Sequence, residues 1–214
     1  MCIRDSNTTF NNASVTQGAA SPTTYSTPSA NEASTYPGST LKMTGNGNTV
    51  FYKQSAAKLE ITGLVTPDAT LNFSTNNGTY ISYPAAFGYT DSDTASGTFS
   101  SSAANGNFSG TITITADAAG TLIIGSKTYP NVLRIKSVQN FNLTVSSFPV
   151  GTVTNTAYSY YDSMHKFPLL AYTSANISVP ALGMNQTSTG AQALNETFLA
   201  VNDHFIKKLS LIHI

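Results

Sequence analysis

The chain has 214 residues, room for one β domain of ordinary size or two small ones. Ten Lys and Arg balance ten Asp and Glu, and charged residues make up only 9%, against roughly 25% in a usual soluble domain. That balance leaves no basic footprint for nucleic acid, and no apolar run approaches the ~18 residues of a membrane span. Hydrophobic residues at 40% suffice for a core, and 11 Tyr with 11 Phe argue against disorder. Ser, Thr, Asn and Gly replace the missing charge, a neutral composition that suits the outer face of an extracellular β protein.

The ends read differently from the rest. Residues 1–6 (MCIRDS) and 209–214 (LSLIHI) resemble translated sequencing-adapter read-through, and both are set aside as foreign. On this reading Met1 is not a true start. Cys2 is not native, so neither a disulfide framework nor a thiolate metal site is expected. Room is left for a signal peptide upstream and a further module downstream.

Residues 7–40 form a low-complexity lead of Ser, Thr, Asn and Ala with Pro22, Pro28 and Pro37. Little apolar content offsets its ordering entropy, although a short edge strand is within reach. Residues 41–180 carry the pattern of an antiparallel β domain. Strands are predicted at 49–53, 58–63, 70–74, 78–83 and 96–101, at the short spacing of sandwiches and barrels. The clearest strand is 107–116, where Phe108, Ile112, Ile114 and Ala116 alternate with Asn107, Ser109, Thr111, Thr113 and Thr115. Asp117-Ala118-Ala119-Gly120 then reads as a tight connection to a partner strand at 121–124. A turn at Gly125-Ser126-Lys127 leads to a long strand at 132–145, with Leu133, Ile135, Phe141, Leu143 and Val145 on its core face. Residues 107–145 are thus expected to form a three-stranded meander. Stretches 156–164 and 167–173 suggest a hairpin, with Pro168 placing its second strand near an edge. Residues 191–201 fit helix and strand equally. Residues 181–208 read as a terminal strand or a linker toward a missing C-terminal module. The expected fold is all-β: one antiparallel domain, either a strongly curved open barrel or a sandwich.

Two segments carry a resemblance. One is Thr115-Ala116-Asp117, Gly120-Thr121-Leu122 and Asn131-Val132-Leu133-Arg134-Ile135-Lys136; the other is a Tyr-rich strand followed by Lys166-Phe167-Pro168-Leu169-Leu170. Together they resemble uncharacterised secreted proteins of Bacteroidetes that end in a type IX secretion sorting domain. The resemblance covers about residues 45–174. It implies export to the outer cell surface or medium, with the export machinery as partner through a sorting module that would begin near Phe205-Ile206-Lys207-Lys208. The family brings no assigned activity. A weaker likeness is to lipoprotein-carrier-like open barrels, a fold analogy that does not fix function.

Candidate sites divide by their chemistry. Asp91-Ser92-Asp93-Thr94 has the D-x-D opening of a calcium loop but lacks the closing Glu, so a polar turn is favoured over metal. Asp162, His165 and Lys166 lie close together, yet no nucleophile elbow or third orienting group accompanies them. His204 falls in the linker-like tail and His213 in the foreign end. Asp68, Asp91, Asp93, Asp117 and Asp203 are expected at turns, and nothing selects a glycosidase-like pair. Tyr80, Tyr83, Tyr89, Tyr158, Tyr160 and Tyr161 could stack on sugars, but without Trp, packing is favoured. Nine N-x-S/T sequons occur in a chain rich in these residues and imply nothing by themselves. No catalytic, cofactor or metal residue is therefore assigned. The expectation is a non-enzymatic exported domain, with a hydrophobic-ligand carrier or a glycan-binding accessory module as alternatives.

Overall fold

Alternating β-branched, aromatic and hydroxyl residues build strands along most of the chain. The computed structural model describes residues 7–197. Thirteen strands occur in this range: β1 (Thr8–Asn12), β2 (Thr24–Ser26), β3 (Leu41–Gly45), β4 (Asn48–Gln54), β5 (Lys58–Val65), β6 (Ala69–Asn76), β7 (Gly78–Ser82), β8 (Thr90–Ser101), β9 (Asn105–Ile124), β10 (Lys127–Val145), β11 (Phe148–Tyr161), β12 (Leu170–Val179) and β13 (Met184–Ala193). One six-residue helix, α1 (Ala30–Thr35), interrupts them. The fold is all-β, a single curled sheet in the order β13-β12-β11-β10-β9-β8-β6-β5-β4-β3-β2. Every ladder is antiparallel except that of β1, which lies parallel to the far end of β9.

The sheet curls until its two ends meet. The ring of Tyr25 on β2 stacks on Phe167, centroids 4.8 Å apart. Gln192 Nε2 on β13 donates to Thr23 Oγ1 at 3.0 Å. No ladder joins β13 to β2, so the barrel stays open. Its inner face carries the main core, in which Phe73, Phe108 and Phe141 meet edge to face, with Ile112, Ile114 and Ile135 around them.

The expected turn at 117–120 is replaced by continuous strand. β9 runs for 20 residues because β10 offers partners along its whole length, with Gly120 opposite Val132 and Leu122 opposite Tyr129. Residues 121–124 are therefore the continuation of β9 rather than its partner. The predicted meander strands at 107–116 and 121–124 are one element. The register shifts where Ala118 faces Arg134 and Ala116 faces Ile135, leaving Asp117 as a bulge. One extra residue reverses the strand's alternation. Ala116 joins the inner core, whereas Ala118, Leu122 and Ile124 join a second cluster on the outer face with Phe10, Val132, Leu169 and Leu170. Arg134 clamps the bulge, its Nε 2.8 Å and its Nη2 3.0 Å from the two Asp117 oxygens. Its guanidinium also sits 5.3 Å from the Phe10 ring centre and 5.2 Å from that of Tyr158.

Other expectations shift in detail. The 156–173 hairpin exists, but Pro168 lies in the loop before β12, and β13 rather than β12 is the edge. Residues 7–40 contain β1, β2 and α1, and Phe10, Pro28 and Tyr36 in this stretch are buried. Ser29 caps α1 with a reciprocal bond to Glu32. Tyr36 then lies flat on Phe51, directly above Gly63, where a Cβ would come within 2.2 Å of its ring. Residues 191–193 end β13, and a short 3-10 turn follows at Asn195–Thr197.

Candidate functional site

The registers of β9 to β13 fix what the inner face presents. Successive rungs across β10, β11, β12 and β13 read Ser137–Ala157–Thr173–Gly190, Gln139–Asn155–Ala175–Ser188 and Phe141–Val153–Ile177–Gln186. Paired residues share a face, and Phe141 belongs to the inner core. The concave side is therefore divided. The β4–β9 half is filled by aromatic and aliphatic side chains, which Ile135, Phe141 and Val153 extend onto β10 and β11, and the Ser137 and Gln139 rungs across β10–β13 are lined by small residues, amides and hydroxyls.

This polar half ends in a groove of about 330 Å³ between Asp68, on the β5–β6 turn, and Ala175, Ile177, Gln186, Thr187 and Ser188. On the neighbouring rung position sits Asn155, whose Oδ1 is buried with no hydrogen-bond partner. A buried acceptor left unmade costs about 1–3 kcal/mol, so it marks a place where a donor is wanted.

At the other end, tyrosines from distant strands converge. Tyr80 of β7 hydrogen-bonds Tyr161 and Ser159 of β11 across the interior. Tyr52 of β4 meets Tyr80 edge to face at 5.5 Å. Burial, with Tyr80 alongside, pushes the phenols of Tyr52 and Tyr161 well above 10. These groups are neutral hydrogen-bonding hydroxyls at any ordinary pH.

The six candidate tyrosines do not form one platform. Alternation along β11 sends Tyr158 and Tyr160 to the outer face, against Arg134 and Phe10, and Tyr161 inward. Tyr83 is 51% exposed at the rim, and the Tyr89 hydroxyl donates to Asp91.

Asp91 and Asp93 lie within β8, and Asp117 within β9, so of the described acids placed at turns by sequence these three are strand residues. Asp68 does occupy a turn. Asp93 Oδ2 accepts from the Thr79 backbone N–H at 3.1 Å and from its hydroxyl at 2.5 Å. Asp91 Oδ2 accepts from Ser82 at 3.1 Å and Tyr89 at 3.0 Å. Both carboxylates are engaged by β7 and its flank, because β7 has no ladder with β8. Among the described residues no group of three or more His, Cys, Asp or Glu could hold a metal ion.

Asp162 and His165 do pair. His165 Nδ1 is 2.8 Å from both Asp162 oxygens, and the backbone N–H groups of Met164 and His165 also donate to Asp162 Oδ1. Burial opposes ionisation of Asp162, but these bonds outweigh it and lower its pKa. The arrangement closes the β11–β12 loop over the outer cluster, where His165 meets the Tyr129 ring. Asp203, His204, His213 and the 205–208 segment lie outside the described residues.

The polar inner rungs escaped sequence reasoning. Asn155, Gln139 and Ser137 look like solvent-facing residues until the register puts Gln139 and Ser137 opposite Ile112 and Ile114, and Asn155 opposite Gln139. No helix among the described residues is long and apolar enough to cross a membrane. No family model, curated protein or solved structure matches the chain.

Proposed function

We propose that this chain is a non-enzymatic module of an exported protein that binds a neutral, hydroxyl-rich ligand such as a glycan on its concave face. The observation that carries the reading is the unpartnered Asn155 carbonyl beside a groove whose walls offer the Gln186 amide, the Thr187 and Ser188 hydroxyls, the apolar Ala175 and Ile177, and the Asp68 carboxylate as a further acceptor for hydroxyl groups. A sugar hydroxyl supplies the donor that Asn155 wants. Its C–H face suits Ile177, and the nearby amides offer both donors and acceptors. A hydrophobic cargo has less support, because the apolar half of the interior is occupied by the Phe73, Phe108 and Phe141 rings. Export rests on the charge-poor composition and on the resemblance to Bacteroidetes proteins secreted by the type IX route.

The test is a glycan array followed by calorimetry with Asn155→Ala and Gln186→Ala. Binding that weakens roughly tenfold in each variant, the worth of about 1.4 kcal/mol, supports the reading. Binding that both variants leave unchanged, or no binding to any glycan, overturns it.

A further inference from the structure

β1 is set apart from the rest of the sheet. It is the one parallel strand among the described residues and pairs only with β9, from Thr8 opposite Gly120 to Asn12 opposite Ile124. One side chain anchors it. Phe10 is 6% exposed, lies in the outer cluster against Leu122 and Ile124, and meets Tyr160 edge to face at 5.1 Å. Gly120 makes the approach feasible, because a Cβ there would lie 1.9 Å from the Thr8 carbonyl oxygen. Between β1 and β2, residues 13–20 are all exposed. The connector 13–23, eleven residues by the strand bounds (24 − 12 − 1), reaches about 36 Å when extended.

We propose that β1 is an exchangeable strand, and that the edge of β9 at 120–124 with its Phe10 pocket also takes β1 of a second copy of this chain. The occupant is the one seated there: every contact β1 makes in its own chain is reproduced when the partner copy supplies it. Concentration then decides between the two arrangements, since a short flexible connector gives the tethered strand an effective concentration on the order of mM. The device is independent of the glycan reading and uses the opposite face of the sheet.

Mixing two single-cysteine chains tests it. In both, Cys2 is replaced by Ser. One carries Asn11→Cys and the other Ile123→Cys, residues in register across the β1–β9 ladder. Neither chain can close this link alone, so a heterodisulfide joining position 11 of one chain to position 123 of the other, identified by mass spectrometry of the linked peptide, reports exchange between copies. At protein concentrations on the order of 1 mM the heterodisulfide is expected to dominate over both homodisulfides. Adding Gly120→Val to the acceptor should abolish it. Moving the acceptor cysteine two positions along β9, to Thr121→Cys in place of Ile123→Cys, should reduce it about tenfold, because Asn11 stands opposite Ile123 and Thr9 opposite Thr121, and this variant keeps Gly120 and so gives an answer even if the Gly120 variant folds poorly. A heterodisulfide no more abundant than the homodisulfides, or one indifferent to the position of the acceptor cysteine, overturns the proposal.

Discussion

Asp93 holds two strands together where backbone pairing lapses. The β6–β8 ladder skips between Asn72 and Asn76, and β7 contributes no ladder to β8. The Asp93 carboxylate fills the gap by taking both donors of Thr79, a residue 1% exposed. Removing it strands a buried N–H and a hydroxyl together. Asp93→Ala is expected to cost about 2–4 kcal/mol, since a bond to a charged group is worth about 1.5–3 and the orphaned donors add to it. Urea unfolding measures this directly, and a loss below about 0.5 kcal/mol would refute the role. Glu32 shows a different residue-scale effect. The Ser29 backbone N–H, then Lys42, then the Ser29 hydroxyl hold its carboxyl at about 2 instead of 4.5. A depressed carboxylate pKa contributes stability that is complete above 4.5 and is lost as pH falls toward 2. A carboxyl-carbon NMR titration should place the Glu32 midpoint near the lower value, and Lys42→Met should raise it. An ordinary midpoint in the wild-type chain would show that the cap and ion pair do not hold in solution.

At the scale of elements, the Asp117 bulge is the feature that moves the even-numbered residues of β9 from the inner core to the outer cluster. Deleting Asp117 leaves Ala116 opposite Ile135 and Ala118 opposite Arg134, the pairs already present, so both clusters keep their faces. Deleting Thr113 instead would send Ile112 and Ile114 to opposite faces. The first deletion is expected to cost only about 1–3 kcal/mol, for the lost Arg134 partner, and the second to abolish cooperative folding. Thermal unfolding of the pair decides it, and the reverse order of tolerance would rule out the parity argument. The bulge also explains where the sequence was legible. Strands β4 to β8 sit where period-2 alternation predicts them, within a few residues at each end, except that β8 begins six residues earlier than expected. Across β9 the even positions stay apolar on both sides of Asp117, so the pattern bears no trace of the face change, and an Asp followed by Gly three residues later reads as a turn. β13 was illegible for a different reason. Its sequence MNQTSTGAQA has no apolar face, because eight consecutive residues are exposed at the sheet edge. Phe10 was hidden too, a single aromatic in a polar lead whose partner strand lies more than a hundred residues away. The candidate groove was the least legible part, since it depends on which residues of four strands stand opposite one another.

At the scale of the whole molecule, curvature is what creates an interior. Laid flat, the path from β13 to β2 has eleven strands and ten gaps, a width of about 48 Å at 4.8 Å per gap. In the curled sheet its two ends touch through Tyr25 on Phe167 and Gln192 on Thr23. These are side-chain contacts, with no ladder to lock them, so closure rests on the bend of the strands and on the core inside it. The twist of each strand supplies part of that bend, and bulges in β5, β7, β9, β10 and β11 add to it. The polar rungs of β10 to β13 are concave only because of this closure. A flat sheet would leave Asn155 and the Tyr80–Tyr161 bond without their surroundings. Paired nitroxide labels at Thr24 and Ala191, both exposed, measure the gap by electron–electron distance spectroscopy. The expected distance is well under half of the flat width, with a narrow distribution. Phe167→Ala with Gln192→Ala should broaden the distribution while leaving its mean short, because the core strands still bend the sheet. A mean near the flat width would remove the interior, and with it the groove, the tyrosine network and the binding surface built on them. A short mean that lengthens sharply in the double variant would show that the two end contacts, rather than the core, hold the barrel closed.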